Sequence, residues 1–317
     1  MIRRSLLLSL PLIFTSHLLS ADDKKASWTD PVKAAEEDKD FAVQGEYSGE
    51  IAKAKVGVHL IAQGGGKFAA VYYPGGLPGD GFSGDKSKRL KGSATADQVS
   101  FPNLTGTLKD GKISFEGGTL AKVERKSPTL GAAAPAGAVV LFDGKSVDAF
   151  SEGKLDGELL MQGVRTKQLF QNFTLHLEFR TPYMPAARGQ GRGNSGCYLQ
   201  GRYEVQVLDS FGLEGENNEC GGVYTIKTPD VNMAFPPLSW QTYDIDYTAA
   251  TFDAAGKKTA NAKAVVKHNG AVIHTGVELT HATTASPVPE GPTPGPIYLQ
   301  DHGNPVRYRN IWLVEKK

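Results

Sequence analysis

The chain has 317 residues, of which 40% are hydrophobic and 22% are charged, and its formal net charge is +1. This balance is typical of a globular protein and excludes a disordered chain, because enough apolar surface is available to form a core. Lysine and arginine (35) balance aspartate and glutamate (34), so there is no cationic excess to bind a phosphate backbone. Nucleic acid is therefore not an expected partner. The 2 cysteines exclude a disulfide-rich miniprotein and a multi-finger zinc protein.

The amino terminus has the pattern of an export signal. Arg3 and Arg4 precede an apolar run over residues 6–19, which is followed by the small residues Ser20 and Ala21. A basic start, a short apolar run and a small-residue exit are typical of a secretory signal peptide, and the run is too short for a comfortable membrane span. We predict a signal peptide over residues 1–21, no later transmembrane segment, and an exported protein that is periplasmic or extracellular.

Residues 22–125 are predicted to form a small β-rich domain. After a short helical pattern around residues 30–38, apolar and polar residues alternate in short runs, as in strands with one buried face. The pair Asp110-Gly111 is typical of a hairpin turn. No motif with a recognisable chemistry occurs here, and we assign this domain no activity. The predicted strands are Phe41–Tyr47, Lys55–Ala62, Phe68–Tyr73 and Ile113–Glu116.

Residues 126–138 are rich in proline, alanine and glycine and predict a linker between two domains. Beyond it, residues 139–317 carry better defined strand patterns. Apolar and polar residues alternate over Phe173–Phe179, and Asn269-Gly270 is the strongest hairpin signal in the chain. Many short strands with almost no helical periodicity predict an all-β fold, in which this second domain is a β-sandwich or jelly roll.

The segment Tyr203–Asp209 is rich in side chains that can bind a substrate or transfer a proton. On a strand, Glu204 and Gln206 share one face, and a bulge would bring Asp209 onto the same face. Polar groups that converge there can bind sugar hydroxyls, and a carboxylate among them can act as acid, base or nucleophile. The alternative is a solvent-facing edge strand with ordinary polar residues.

A second polar segment lies near the carboxyl terminus. The turn Gln300–Pro305 contains Asp301 and His302, whose imidazole can titrate near neutral pH. Such a turn is usually structural, with Asp301 capping its own backbone. The glycine-rich stretch Gly191–Gly196 continues into a strand rather than a helix, so it is not a dinucleotide fingerprint. We interpret it as a flexible loop that carries Asn194 to a strand end.

Cys197 and Cys220 are a pair in a chain that is predicted to be exported. We predict a structural disulfide, which would close a loop of about two dozen residues. Two buried free thiols are the alternative. No H-E-x-x-H, G-x-S-x-G or C-x-x-C motif occurs, so zinc-protease, α/β-hydrolase and thioredoxin chemistries lack support.

The motifs of the second domain resemble those of the 3-keto-disaccharide hydrolase domain family. The resemblance covers about residues 139–317 and does not include the first domain. It implies a concanavalin A-like jelly roll in an exported bacterial protein that takes part in carbohydrate breakdown. The segments that carry the resemblance, in order, are Leu141–Ser146, Phe173–Arg180, Asn194–Gly196, Tyr203–Ser210 and Gln300–Trp312.

The spacing of Glu204, Gln206 and Asp209 also resembles the catalytic E-x-D-x-x-E strand of laminarinase-type glycosidases with the same fold. Here the central Asp is replaced by Gln206 and the last Glu by Asp209. A retaining mechanism needs two carboxyl groups about 5 Å apart, which this pattern does not guarantee. The family's named substrate favours another chemistry, because a C3 carbonyl makes the C2 proton acidic and allows elimination at C1 followed by hydration.

Elimination needs one base and a group that stabilises the enolate. We predict that Glu204 and His302 transfer protons. No cofactor is certain; a divalent metal held by His302 and a carboxylate is the alternative enolate stabiliser. The predicted partner is an oligosaccharide or glycoside substrate. The predicted substrate-binding residues are Arg180, Asn194, Gln206, Asp209 and Asp301.

Two other functions fit the same sequence. A jelly roll can be a non-catalytic carbohydrate-binding module, in which tyrosines and Trp240 stack on sugar rings, although most of these aromatic residues are expected in the core. A structural envelope protein with two adhesive β domains is the third hypothesis. Turnover of a 3-keto-glycoside separates the enzyme from both.

Overall fold

The computed structural model describes residues 26–316, so the predicted signal peptide lies outside the described residues. The described part is nearly all β, which confirms the predicted fold class. No helix in this part of the chain is long and apolar enough to span a membrane. The helical segments are α1 (Pro31–Glu37), α2 (Lys39–Val43) and two 3-10 turns, Lys86–Lys88 and Gly189–Gly191.

The two α-helices are short and each begins at an aspartate. Asp30 and Asp38 cap α1 and α2 by accepting backbone N–H groups of the first turn, which have no partner within the helix. Because α2 ends at Val43, the first strand begins at Gly45. The predicted strand start at Phe41 is therefore wrong.

Eight antiparallel strands follow and close into a barrel. They are β1 (Gly45–Ile51), β2 (Ala54–Gly64), β3 (Lys67–Pro74), β4 (Leu90–Ala94), β5 (Gln98–Phe101), β6 (Leu104–Lys109), β7 (Lys112–Phe115) and β8 (Gly118–Val123). Neighbours in the sequence are neighbours in the barrel, and β8 returns to pair with β1. Inward-pointing residues such as Tyr47, Leu60 and Phe68 fill the interior. Asp110 and Gly111 form the predicted hairpin turn, with φ angles of 49° and 69°.

The second half of the chain forms two packed sheets and a small hairpin. Its strands are β9 (Val139–Phe142), β10 (Phe150–Ser151), β11 (Leu155–Asp156), β12 (Leu159–Met161), β13 (Val164–Thr166), β14 (Phe173–Arg180), β15 (Ser195–Leu199), β16 (Tyr203–Val207), β17 (Gln241–Thr248), β18 (Thr251–Phe252), β19 (Lys258–Ala260), β20 (Ala262–His268), β21 (Ala271–Leu279), β22 (Tyr298–Leu299) and β23 (Arg307–Glu315).

The five-stranded sheet has the order β10-β13-β22-β15-β16, and we call it the small sheet. The large sheet has the order β11-β12-β23-β14-β17-β20-β21, with β9 added beside β23. One core lies between them, to which Val205 of the small sheet and Leu177 of the large sheet both contribute. Asn269 and Gly270 form the predicted hairpin turn between β20 and β21. Alternation along each strand places polar residues on the outer faces of the sandwich.

The connecting segment, residues 126–138, packs on the outer face of the large sheet. The Ser127 hydroxyl lies 2.6 Å from that of Thr242. The carbonyl of Ala132 accepts from the indole N–H of Trp312 at 3.1 Å, and the Gly131 N–H donates to Glu178. The segment predicted as a linker is therefore held in a fixed path by hydrogen bonds.

The barrel and the sandwich share an apolar contact. Ile61, Val71 and Tyr73, which point outward from β2 and β3, pack against Phe211 from the loop after β16. All four are at most 6% exposed. This contact brings the end of β2 beside the loops that follow and precede the small-sheet strands β16 and β15.

The predicted disulfide is not present. Cys197 and Cys220 are separate thiols, both fully buried in the sandwich core. Cys220 Sγ lies 3.2 Å from the Tyr243 hydroxyl. Burial raises the pKa of Cys197 to about 12 and that of Cys220 to about 11, so both remain protonated and poorly nucleophilic at neutral pH.

Candidate functional site

The candidate site lies on the outer face of the small sheet, where β15 pairs with β16. Glu204 pairs with Tyr198, and Gln206 pairs with Gly196 in the antiparallel register. Because side chains alternate along a strand, Glu204 and Gln206 share this face, as predicted, and Val205 points into the core. Glu204 is only 3% exposed.

Two neighbours on β15 shape the position of the Glu204 carboxyl group. The Tyr198 hydroxyl donates to Glu204 Oε2 at 2.9 Å. Gly196 leaves room for the other oxygen, because a Cβ at this residue would collide with Glu204 Oε1. A glycine inside a strand weakens the strand, and here it allows a carboxyl group to lie across the sheet.

Burial raises the pKa of Glu204 to about 7, and the hydrogen bond from Tyr198 only partly opposes this effect. No Lys or Arg side chain forms a salt bridge with Glu204 in the described part of the chain. Both protonation states are therefore populated at neutral pH. A carboxyl group in this condition is suited to take up and return a proton in general acid–base catalysis.

The amide of Gln206 lies against the Glu204 carboxyl group. One end of this amide lies 2.6 Å from Glu204 Oε1 and 2.8 Å from the carbonyl oxygen of Ser195. With its nitrogen at that end, the amide donates to an ionised Glu204. The nitrogen is the end that satisfies both contacts, because the Ser195 carbonyl oxygen carries no proton and can only accept.

Further amides surround Gln206 on the side away from Glu204. Gln190 Oε1 lies 3.0 Å from the Gln206 amide and 3.1 Å from Asn194 Nδ2. Asn194 is 1% exposed, and its Nδ2 also donates to the backbone carbonyl of Gln190 at 2.8 Å. The structure therefore brings together three of the predicted residues, Glu204, Gln206 and Asn194.

The predicted turn near the carboxyl terminus borders this cluster. Gln300 Nε2 donates to the Tyr198 hydroxyl at 3.2 Å, and Asn304 Oδ1 accepts from the backbone N–H of Asn194 at 2.8 Å. The turn is thus attached to the site on both sides of His302. His302 itself is exposed and forms no hydrogen bond with Glu204 in the described part of the chain. Asp301 is also exposed and accepts from Gly303 N–H at 2.8 Å, as a cap of its own turn.

Two predicted substrate-binding residues lie elsewhere. Arg180 ends β14 of the large sheet, where its Nη2 donates to the carbonyl of Thr29 at 2.6 Å and its guanidinium lies 4.9 Å from the Trp240 ring. Asp209 forms a buried ion pair with Arg192 at 2.6 Å, beside the barrel. The strand β16 ends at Val207, before the position of the expected bulge, and Asp209 lies against Arg192 instead of Glu204.

The described side chains around His302 do not form the donor set that a divalent metal would need. Within residues 26–316, no group of three or more His, Cys, Asp or Glu side chains is arranged to hold an ion. We therefore derive no step through a metal.

The residue patterns did not identify Gln190 or Gln300 as part of the site, and they indicated Tyr198 only as one of the tyrosines that could stack on a sugar ring. Gln190 comes from a glycine-rich loop, and no periodicity predicts where such a loop lies. Gly196 two residues before Tyr198 on a strand was the available signal, since an interior strand glycine often marks a close approach.

The fold and the site together define a class of protein. It is a jelly-roll sandwich in which a buried carboxyl group has amides and a tyrosine as partners and, within the described residues, no salt bridge to Lys or Arg. The family model of the 3-keto-alpha-glucoside-1,2-lyase-like domain matches residues 137–314, which is more than half of the chain, and the protein belongs to this family. The resemblance predicted from the sequence is confirmed, and the family supports a carbohydrate-active protein.

Two solved structures are similar to part of this chain. A crystal structure named as a "putative glycosyl hydrolase" from Parabacteroides distasonis ATCC 8503 is 35% identical, with a TM-score of 0.53, over 58% of this chain and 85% of that chain. A second structure with the same description and organism is 18% identical, with a TM-score of 0.44, over 57% and 94% of the two chains. A search of curated proteins returned no match.

Proposed function

We propose that this protein is an exported enzyme that cleaves the glycosidic bond of 3-keto-glycosides or disaccharides, with Glu204 as the group that transfers protons. The observation that carries the proposal is the buried Glu204 carboxyl group, whose pKa is about 7 and whose partners are neutral. Membership of the family supports the substrate class. Export rests on the amino-terminal sequence pattern alone.

The chemistry follows from the C3 carbonyl of such a sugar. The Glu204 carboxylate removes the C2 proton, and the electrons of that C–H bond form an enolate with the carbonyl. The enolate then expels the oxygen at C1, which leaves with a proton as the aglycone alcohol, and an enone remains. Water adds across C1 and C2 of the enone and gives the free 3-keto sugar. Removal of the C2 proton and its later return need one base that can regain its proton, rather than two matched carboxylates.

The neighbouring donors have roles in this scheme. Tyr198 and the amide of Gln206 lie within hydrogen-bond reach of the Glu204 carboxyl group, so they hold it while it changes charge. Asn194 orients sugar hydroxyl groups from the same face. His302, exposed in the adjoining turn, supplies the proton that the leaving oxygen takes up.

The test is the release of a chromogenic aglycone from a 3-keto-glucoside. Glu204→Gln removes the titrating group and keeps the side-chain shape, and we expect kcat to fall by about 10²–10⁴, the usual contribution of a general base. Glu278→Gln is the matched control, because Glu278 is a half-exposed glutamate on β21 of the large sheet. Full activity in Glu204→Gln would contradict the proposal. Binding of intact glycans without turnover by the unaltered protein would replace the enzyme with a carbohydrate-binding module.

A further inference from the structure

The loop over residues 188–192 joins the candidate site to the barrel. Arg188 Nη2 donates to the side-chain Oε1 of Gln63 at 2.6 Å and to the Gln63 carbonyl at 3.2 Å. Arg192 Nη1 donates to the carbonyl of Ala62 at 3.3 Å. Two arginines therefore tie the two ends of the loop to the end of β2.

Between these arginines, Gln190 contacts the site. Its Oε1 lies 3.0 Å from the Gln206 amide, and its Nε2 donates to the carbonyl of Asn218 at 2.7 Å. The opposite end of the Gln206 amide lies against Glu204. Gln190 and Glu204 thus contact opposite ends of the Gln206 amide, so the orientation of Gln190 limits how this amide can turn.

The loop has little packing of its own. A Cβ added at Gly189 or Gly191 would meet no atom within 4 Å, and Gly189 has a φ of 52°. Glycines in such a loop bury little surface and favour no single conformation. The position of Gln190 therefore depends on polar bonds, namely those at the ends of the loop and those that Gln190 itself forms with Asn194 and Asn218.

We propose that Gln190 is a positioning residue for the Glu204–Gln206 pair, and that Gln63 of the barrel, through Arg188, holds it in place. The proposal rests on the proposed function, since it gives the barrel a part in the reaction of the same site. Without the Gln63 bond the loop moves, Gln190 leaves the Gln206 amide, and water reaches Glu204.

Four variants separate this role from general stability. Gln63→Leu removes the side-chain acceptor for Arg188, and Gln63→Glu restores an acceptor as the rescue variant. Gln190→Ala removes the positioning amide directly. Lys86→Met is the control, because it breaks another contact between barrel and sandwich, the ion pair from Lys86 Nζ to Glu216 Oε1 at 3.0 Å, without touching the loop.

We expect Gln63→Leu and Gln190→Ala to lower kcat/KM about tenfold, the effect of one hydrogen bond lost at the transition state. Gln63→Glu and Lys86→Met should match the unaltered protein. The acid limb of the kcat/KM profile should move to lower pH in the two impaired variants, because a hydrated Glu204 loses its proton more readily. Tyr198, Cys197 and Tyr308 lie close enough for their charges to interact with Glu204, and burial raises the pKa of each, so none of them ionises near neutral pH. His302 in the adjoining turn is the same in all four variants, so it does not account for a difference between them.

Two measurements do not need turnover. Trypsin should cut after Arg188 or Arg192 faster in Gln63→Leu than in Lys86→Met, and ¹³C NMR titration of the Glu204 carboxyl group should give a lower pKa in Gln63→Leu. If the unaltered protein shows no turnover, the proposed function fails, and these two measurements still decide the positioning role. Cleavage and titration identical to those of the unaltered protein would overturn it.

Discussion

Glu204 and Glu178 occupy comparable places on opposite sheets, yet their acidities differ greatly. Each lies on a sandwich strand, Glu204 on the edge strand β16 and Glu178 on the inner strand β14; each points away from the core and is at most 3% exposed. Burial raises the pKa of Glu204 to about 7. Burial would raise that of Glu178 as well, but hydrogen bonds from His176, Asn310, the Gly131 N–H and Arg309 outweigh it and lower the pKa to about 2.

The partners of Glu178 make it a structural anchor. Its Oε2 accepts from Arg309 Nε at 2.7 Å, its Oε1 accepts from Asn310 Nδ2 at 2.9 Å, and the Gly131 N–H holds the connecting segment against it. Such a carboxylate stays ionised and fixed. Glu204 has a tyrosine and an amide instead, so it can exchange its proton. The comparison teaches that the partners of a buried glutamate, rather than its burial, separate a site of chemistry from a site of assembly.

The largest effect is expected when the unfolding free energies of the unaltered protein and Glu204→Gln are compared as a function of pH. The folded-state pKa of Glu204 is raised, so its contribution is fully present below about pH 4.5 and is lost as the pH rises through about 7; the change is about 3 kcal/mol. Glu204→Gln lacks this titration. We therefore expect the variant to gain about 3 kcal/mol relative to the unaltered protein between pH 4 and pH 8, as measured by urea unfolding. A constant difference in unfolding free energy across this range would contradict the raised pKa.

Glu178→Gln should change the unfolding free energy with the opposite pH dependence. Its folded-state pKa is lowered, so its contribution is present above about pH 4.5 and is lost as the pH falls toward 2. At pH 7 we expect a loss of about 2 kcal/mol, less than for a fully buried pair because the Arg309 side chain is 36% exposed. Urea unfolding at pH 7 and pH 3 checks both the size and the sign. Glu278→Gln serves as the control, and an equal effect of Glu178→Gln at the two pH values would refute the anchor role.

Tyr198→Phe should have a smaller effect on the reaction. The hydroxyl lowers the pKa of Glu204, so its removal raises that pKa, and less of the base is ionised at neutral pH. We expect kcat/KM at pH 7 to fall about fivefold, as for the loss of one hydrogen bond, and the acid limb of the pH profile to move to higher pH. An unmoved limb would mean that another group controls it.

The smallest effect is expected for the cysteines. Because Cys197 and Cys220 are separate buried thiols, a reducing agent should leave the melting temperature unchanged. A thiol reagent should modify neither residue in the folded protein and both after denaturation. If the two cysteines formed a disulfide, the reducing agent would break it and lower the melting temperature.

Much of the fold follows from local patterns. The hairpin turns at Asp110-Gly111 and Asn269-Gly270 require positive φ angles that these residues tolerate, so the sequence alone predicts them correctly. Alternation along β16 likewise places Glu204 and Gln206 on one face. The start of β1 was missed because the Asp38 cap extends a helix through Val43, which an apolar alternation cannot reveal.

The rest depended on long-range contacts. Strand patterns do not say which sheet a strand joins, so they grouped Arg180 of the large sheet with Glu204 of the small sheet. Strand patterns also did not reveal that Asp209 forms an ion pair with Arg192 beside the barrel. The presence of two cysteines in a chain expected to be exported predicted a disulfide, but both are buried in the core and not bonded.

The sequence by itself determined an all-β chain, the family of its second domain and the face that carries Glu204, because composition, strand period and turn residues are local properties. Only the tertiary structure decided that this glutamate lacks a cationic partner and that Glu178 has one. It also decided that the barrel holds the loop of Gln190, since ion pairs and hydrogen bonds between distant segments depend on how the sheets pack.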